Sequence, residues 1–338
     1  MRAIVYSRNG GPEVLEVVDR PDPAPGPGEV LVRVARSGVN PTDWKSRQGA
    51  TATLAFAEQV PNQDGAGTVV GVGAGVDAGR VGERVWLWEA AWQRPRGTAA
   101  ELTVVPADHA VALPDSASFD LGAAVGVPAL TAHRALTVAE GAPARLAPGA
   151  LTGWSVLVAG GAGAVGHAAI ELARWAGARV VATVSSDEKA ALARAAGAAH
   201  VVRYRDPDAA EQVRAAAPDG VQVVVEVAPA ANAALDGAVL APGGTVASYA
   251  NDADTVAVPI RASMVANARY QFVLLYGVPT AAKAAAVEGV AAALADGALR
   301  VGEQAGLPLH HFPLEATADA HRAVEGGAVG KVLIDVDG

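Results

Sequence analysis

The chain has 338 residues, room for two domains, and its 51 % hydrophobic and 18 % charged residues describe a globular protein with a sizeable core. A formal net charge of −9 argues against a nucleic-acid surface, and no apolar run approaches the roughly 18 to 20 residues that a membrane span needs. Cysteine is absent, which excludes disulfides and thiolate chemistry.

The opening "MRAIVYSRNGG" predicts a strand and a turn rather than a signal peptide, so a cytoplasmic protein is expected. Up to about Gly122, the runs "AIVY", "LEVVDR", "EVLVRVARSGV", "GTVVGVG", "RVWLW" and "AAELTVV" predict short strands punctuated by Gly and Pro. "RPDPAPGPGE" reads as a stiff proline turn. From Leu121 the pattern becomes helical, with Pro128 interrupting it. Strands expected at 155–159, 179–184, 200–202, 221–227, 245–249 and 271–277 then alternate with alanine-rich helices. Such alternation predicts an α/β fold with a doubly wound parallel sheet. After Pro279 a helix runs to about Ala295, and short strands ending in "GKVLIDV" return to the character of the first third. The expected domains are therefore 1–122 with 279–338, β-rich, and 123–278, doubly wound.

The second domain opens on its most informative stretch. After the apolar run 155–159 come Gly160, Gly161, Gly163 and Gly166, of which the last three satisfy G-x-G-x-x-G, and a helical pattern follows to Trp175. A tight strand-to-helix turn leaves backbone N–H groups free at a helix N-terminus, where they and the helix dipole favour a pyrophosphate. The spacing therefore predicts a dinucleotide on Gly161, Ala162, Gly163, Ala164, Val165 and Gly166. An unphosphorylated dinucleotide calls for Asp or Glu about 20 residues on, to bond the ribose hydroxyl. That place holds Thr183, followed by Val184, Ser185 and Ser186, while Asp187 comes late and is expected to cap the next helix with Ser186. Lys189 lies one turn into that helix, and Arg203, Tyr204 and Arg205 end the third strand. Hydroxyls and cations suit a 2′-phosphate and a carboxylate would repel it, so NADP(H) is the expected cofactor. Lysine is scarce, four against 22 arginines, so each lysine can be questioned singly.

In the order "SGVNPTDWKSRQG", "DGAGTVVGVG", "GERVW", "VGVPALTAHRAL", "VLVAGGAGAVG" and "GKVLI", the chain resembles the zeta-crystallin-like quinone oxidoreductases, the zinc-free branch of the medium-chain dehydrogenase/reductase superfamily. The resemblance covers nearly the whole length. It implies a GroES-like β-rich catalytic domain, a Rossmann domain and NADPH in the cleft between them. It also implies a homodimer joined through Rossmann edge strands, here 270–277. Zinc-containing relatives carry Gly-His-Glu where this chain has Asn62, Gln63 and Asp64, and glutamine is a poor zinc ligand. No metal is expected. Adjacent His310 and His311 would diverge on a strand, which suits surface or packing roles. His133 stands where the family often has tyrosine, and packing or a hydrogen bond near the cofactor is its expected role.

Asn40 matches the asparagine that approaches the nicotinamide in this branch, with an amide that both donates and accepts. Lys45 stands where tyrosine is common, and alkenone-reducing relatives often carry lysine there. The implied reaction is hydride transfer from NADPH to a small-molecule quinone or enone, with Lys45 stabilising the developing oxyanion. An enoyl-thioester reductase and a non-catalytic NADPH-binding protein are the alternatives. No nucleic acid or membrane partner is expected.

Overall fold

The computed structural model describes residues 1–49 and 54–336. The chain divides into two compact units, 1–127 with 308–338, and 128–307. The first unit opens with β1 (Arg2–Val5), β2 (Glu16–Asp19) and the long β3 (Glu29–Val39). Then come α1 (Pro41–Gln48), β4 (Asp64–Val72), β5 (Arg84–Leu87), β6 (Leu102–Pro106), β7 (Ala110–Ala112) and α2 (Phe119–Leu136). The division between the units falls inside α2. The helix runs through Pro128 rather than being interrupted there. Next to that proline, which has no N–H of its own, the Val127 N–H donates to the Asp64 carboxylate at 2.8 Å.

The second unit consists of β8 (Ser155–Ala159), α3 (Ala164–Trp175), β9 (Arg179–Val184), α4 (Asp187–Ala196), β10 (His200–Arg203), α5 (Ala209–Ala216), β11 (Val221–Glu226), α6 (Pro229–Val239), β12 (Leu240–Ser248), α7 (Ile260–Ala266), β13 (Arg269–Phe272) and α8 (Thr280–Ala295). Its six strands are parallel in the order β10-β9-β8-β11-β12-β13. From β8 the chain first builds one side and then the other, so the end of β8 is a topological switch point, where such sheets bind ligands. The strands are buried apolar runs because helices pack on the sheet. Leu157, Val181, Val213, Val224 and Val246 meet in one core cluster. Each such side chain contributes roughly 1.5–3 kcal/mol on burial.

The chain then returns to the first unit with β14 (Leu309–Pro313), α9 (Thr317–Glu325) and β15 (Lys331–Asp335), completing a sheet of order β14-β15-β3-β4-β5-β7. Two expectations change here. The return comes at 308 rather than 279, because α8 packs with the second unit. Gly289 has no side chain where the His133 ring lies, and a Cβ there would meet His133 Nε2 at 2.6 Å. Just beyond α8, Trp175 donates to Asp296, and the Arg300 guanidinium pairs with Glu171. The strand expected over 270–277 is the four-residue β13, and residues 275–277 form a 3₁₀ turn instead. The backbone reason is that the Gly277 N–H bonds back to Leu274 and the Val278 N–H to Leu275.

Candidate functional site

In the second unit, β8 ends at Ala159 and the chain reverses at Gly160, whose φ of +69° lies in the left-handed region. The turn's unusual torsion thus falls one residue before the G-x-G-x-x-G triplet. The N–H groups of Gly160 and Gly161 both donate to the Thr183 carbonyl, at 3.0 and 3.1 Å, which ties the turn to the end of β9. A Cβ on Gly161 would meet Ala182 Cβ at 2.9 Å, and one on Gly166 would lie 2.3 Å from the Gly160 carbonyl oxygen. Those two glycines are therefore needed for packing. Gly163 differs, since its nearest neighbour would be 3.5 Å away. It caps α3 with no side-chain bond, and among the described residues nothing accepts from the N–H groups of Ala164, Val165 and Gly166. Those donors, with the positive end of the α3 dipole, suit an anion.

Thr183 is buried, and its hydroxyl has no partner among the described residues. Ser186 caps α4 by accepting from the Lys189 N–H at 3.4 Å, and Asp187 is the first helical residue rather than a co-cap. Ser185 is half-buried just ahead of it. Sheet register sets Ala159 beside Thr183 and Val184 beside Arg203, so these residues share the carboxyl edge. The cations there are not equivalent. Arg203 is paired with Asp206 at 3.2 Å and Asp187 at 3.6 Å. Arg205 lies over the Tyr204 ring at 5.5 Å, and neither it nor Lys189 makes an ion pair among the described residues.

A group that sequence reasoning missed lies beside this turn. Glu226, at the end of β11, is fully buried, and its Oε1 accepts from the Ala228 N–H at 2.5 Å and from Asn232 Nδ2 at 3.0 Å. Among the described residues the buried Glu226 Oε2 and Asp236 Oδ1 have no hydrogen-bond partner. Burial pushes both carboxyls up, and their mutual repulsion raises Asp236 further. The neighbouring Tyr249 hydroxyl is also raised, by burial and then by Glu226. Val227 touches the turn itself, since a Cβ on Gly160 would meet its Cγ1 at 3.0 Å.

In the first unit, the strands β15, β3 and β4 lie side by side, and their register aligns Val332 with Val39 and Gly38 with Asp64. Lys331, Asn40 and Asp64 are thereby brought together. Lys331 Nζ donates to Asn40 Oδ1 at 2.7 Å and to Asp64 Oδ2 at 3.4 Å, and Asn40 Nδ2 donates to Asp64 Oδ2 at 2.7 Å. Glycines make the space. A Cβ on Gly38 would meet Lys331 Cε at 3.1 Å, and one on Gly126 would sit 2.3 Å from Asp64 Oδ1. Asn40 also opens α1. Its N–H donates to Asp43 at 2.7 Å, and the second Asp43 oxygen accepts from the Gln63 N–H. Burial, then Asp64, pushes the Asp43 carboxyl up to about 7. Burial likewise pushes Asp64 up and Lys331 down, while each opposes the other's shift. The signal for Lys331 was present in the sequence: one of only four lysines, set among apolar residues in "GKVLI".

Lys45 stands apart from this cluster. It is half-buried on α1, and its Nζ lies 5.7 Å from the centre of the Trp44 ring, with no hydrogen bond or ion pair among the described residues. Gln63 is buried and its Oε1 accepts from the Ala91 N–H at 3.1 Å, while Asn62 is bonded to Ser37 and to His321. His310 and His311 are exposed, and bond Val329 and Asp335 respectively. Among the described residues no group of three or more His, Asp and Glu side chains is placed to hold a metal ion, and no helix is long and apolar enough to cross a membrane. His133 is buried, and its Nε2 accepts from the Leu146 N–H at 3.0 Å.

Residues 26–115 match the model of the alcohol dehydrogenase GroES-like domain, and residues 164–292 that of the zinc-binding dehydrogenase. The chain is 31 % identical to the quinone oxidoreductase of Rattus norvegicus, covering 99 % of this chain and 97 % of the relative. Its fold is similar to that of an NAD-dependent alcohol dehydrogenase, with a TM-score of 0.85 at 30 % identity over 99 % of this chain and 100 % of the other. It is also similar to the quinone oxidoreductase of Escherichia coli complexed with NADPH. There the TM-score is 0.80 at 26 % identity, again over 99 % and 100 %.

Proposed function

The chain belongs to the quinone oxidoreductase (zeta-crystallin) family of the medium-chain dehydrogenase/reductase superfamily, and on that premise we propose that it is an NADPH-dependent reductase of quinones or α,β-unsaturated carbonyl compounds that works without zinc. The observation that carries the cofactor reading is the glycine turn at the switch point. Gly163 keeps its surroundings open, three N–H groups lack acceptors among the described residues, and the edge beside them carries Thr183 in place of an acid. A pyrophosphate fits those donors, and a 2′-phosphate fits Ser185, Ser186, Lys189 and Arg205, the two cations there being unpaired among the described residues. Arg203 is the lesser contributor, because two carboxylates already hold it. A charge-assisted hydrogen bond contributes roughly 1.5–3 kcal/mol. Two of them favour NADPH over NADH by about a hundredfold or more. Comparing kcat/KM for the two cofactors tests this, and equal values reject it.

Bound NADPH supplies the hydride from its nicotinamide. Asn40 contacts the nicotinamide with the N–H and lone pair that Asp64 and Lys331 leave free. Lys45, which has no charged partner among the described residues, stabilises the negative charge that develops on the substrate oxygen, and solvent delivers the proton. Lys45→Met then lowers kcat for an enone by about 10²-fold, with NADPH affinity unchanged and quinones less affected. The zinc-free reading is supported by the lack of cysteine and by the engagement of the Gln63 side chain with Ala91. One tightly bound zinc per chain in purified protein defeats it. An NADPH-oxidation screen over quinones, enones and enoyl thioesters identifies the substrate class.

A second copy of the chain is the proposed partner. The sheet ends at β13, and Ile260, Met264 and Val265 of α7, with Phe272 and Leu274, are all more than 60 % exposed. Apolar side chains gathered at a sheet edge suit burial by another chain. Sedimentation of the wild type and of Phe272→Glu tests the pairing.

A further inference from the structure

We infer that Lys331 and Asp64 are positioning residues that lock the side-chain amide of Asn40 in one orientation, an inference that rests on the reading of Asn40 as the nicotinamide contact. An asparagine amide has two ends of nearly equal size and opposite hydrogen-bonding character, and an isolated one can present either. Here the choice is forced. An ammonium only donates, so the Lys331 Nζ at 2.7 Å must meet the carbonyl oxygen of Asn40. A carboxylate only accepts, so Asp64 Oδ2 at 2.7 Å must meet the amide nitrogen. Flipping the amide would set N–H against ammonium and carbonyl against carboxylate, breaking both bonds in a buried site. Lys331 and Asp64 also meet at 3.4 Å, so the three groups close into a ring.

The ring is itself held from outside. The second Asp64 oxygen takes the Val127 N–H at 2.8 Å, and the absence of a side chain at Gly126 lets α2 come that close. The absence of one at Gly38 lets the Lys331 stem cross the sheet. Asn40 cannot slide along the backbone either, because its N–H is bonded to Asp43. One amide N–H and one carbonyl lone pair then remain on Asn40, at fixed positions, for a ligand that both donates and accepts, as a carboxamide does.

The test measures binding of two ligands to the full-length chain, NADPH and 2′-phospho-ADP-ribose, which has the same phosphates but no nicotinamide. Kinetics with 1,4-benzoquinone are followed in parallel. Asn40→Ala should weaken NADPH by about tenfold, the scale of one or two neutral hydrogen bonds, and leave 2′-phospho-ADP-ribose unchanged. Lys331→Met should reproduce that pattern within about twofold, with kcat falling and the KM for quinone little changed. The double variant Asn40→Ala/Lys331→Met should be no weaker than the worse single one, because a residue that acts only through another adds nothing once that other is gone. If Lys331→Met does not fold, the neutral pair Lys331→Met/Asp64→Asn takes its place in the same cycle. An impaired Asn40→Ala beside an unimpaired Lys331 variant overturns the positioning role alone. So do multiplying effects, or equal loss of both ligands. An Asn40→Ala protein identical to wild type overturns the nicotinamide contact, and the positioning role with it.

Discussion

Two buried clusters, one in each unit, satisfy their polar groups in opposite ways. In the first, Asn40, Asp43, Asp64 and Lys331 satisfy one another, and a lysine supplies the countercharge for two carboxyls. In the second, among the described residues, Glu226 and Asp236 meet no cation, and burial with their mutual repulsion favours a protonated Asp236, while the donors of the neighbouring glycine turn and the Thr183 hydroxyl stay open. A cluster that closes on itself can orient a side chain but has little capacity left for a large anion. A turn that leaves its donors unmatched is incomplete until something negative arrives.

Breaking the closed cluster should produce the largest effect. Lys331→Met leaves two buried carboxyls without a cation and should cost about 3–5 kcal/mol in denaturant unfolding at pH 8. The cost should shrink at pH 5, where Asp43, with its carboxyl at about 7, is protonated. A loss below about 1 kcal/mol at pH 8 would mean that the lysine is not the countercharge.

The glycine turn sharpens the same comparison. Gly166→Ala puts a methyl group 2.3 Å from the Gly160 carbonyl, and should cost at least about 1–3 kcal/mol, the range for overpacking. Gly163→Val fills space the protein does not use, so it should unfold like wild type but fail to bind NADPH. Tight NADPH binding by Gly163→Val would show that the open space is not the cofactor's.

Asp236→Asn tests the cation-free pair. Asp236 binds its proton more tightly folded than unfolded, with a folded value of about 9. Its contribution to stability is therefore full below the ordinary carboxylate pKa and is lost as pH rises through about 9. Asp43 acts with the same sign but is exhausted near 7. Between pH 7 and 9 the wild type should lose stability at up to about 1.4 kcal/mol per pH unit for the one proton. Asp236→Asn, which has no carboxyl to titrate, should flatten that limb. An unchanged slope in the variant would place the proton elsewhere.

The smallest effect is on the acid side, where the two units behave alike. Burial lowers His133 to about 4 and His321 to about 3. Both are neutral when folded, so their contribution is full above the unfolded value near 6.5 and is lost as pH falls through these folded values. His133 Nε2 accepts the Leu146 N–H and cannot do so once protonated. His133→Gln should make stability less dependent on pH between 6.5 and 4. A variant that tracks the wild type across that window would clear His133 of any part in acid unfolding.

Local signals made much of the second unit legible in the sequence alone. Gly161, Gly163 and Gly166 lie within six residues of one another, and their strand and helix adjoin them, so spacing sufficed. The missing acid at Thr183 was equally readable, since its distance from the turn is set by one helix and one strand. Contacts between distant residues were not. Lys331 and Asn40 stand 291 positions apart and meet only because β15 pairs with β3. Asp236 meets Glu226 only because α6 folds back on β11. Whether Arg203 is free or paired depended on carboxylates whose side chains no spacing rule places. The membership of α8 rested on contacts between distant residues such as Gly289 and His133. Periodicity records which face of an element is apolar. The partner that a buried charge meets is chosen by sheet register and helix packing, which exist only once the chain has folded.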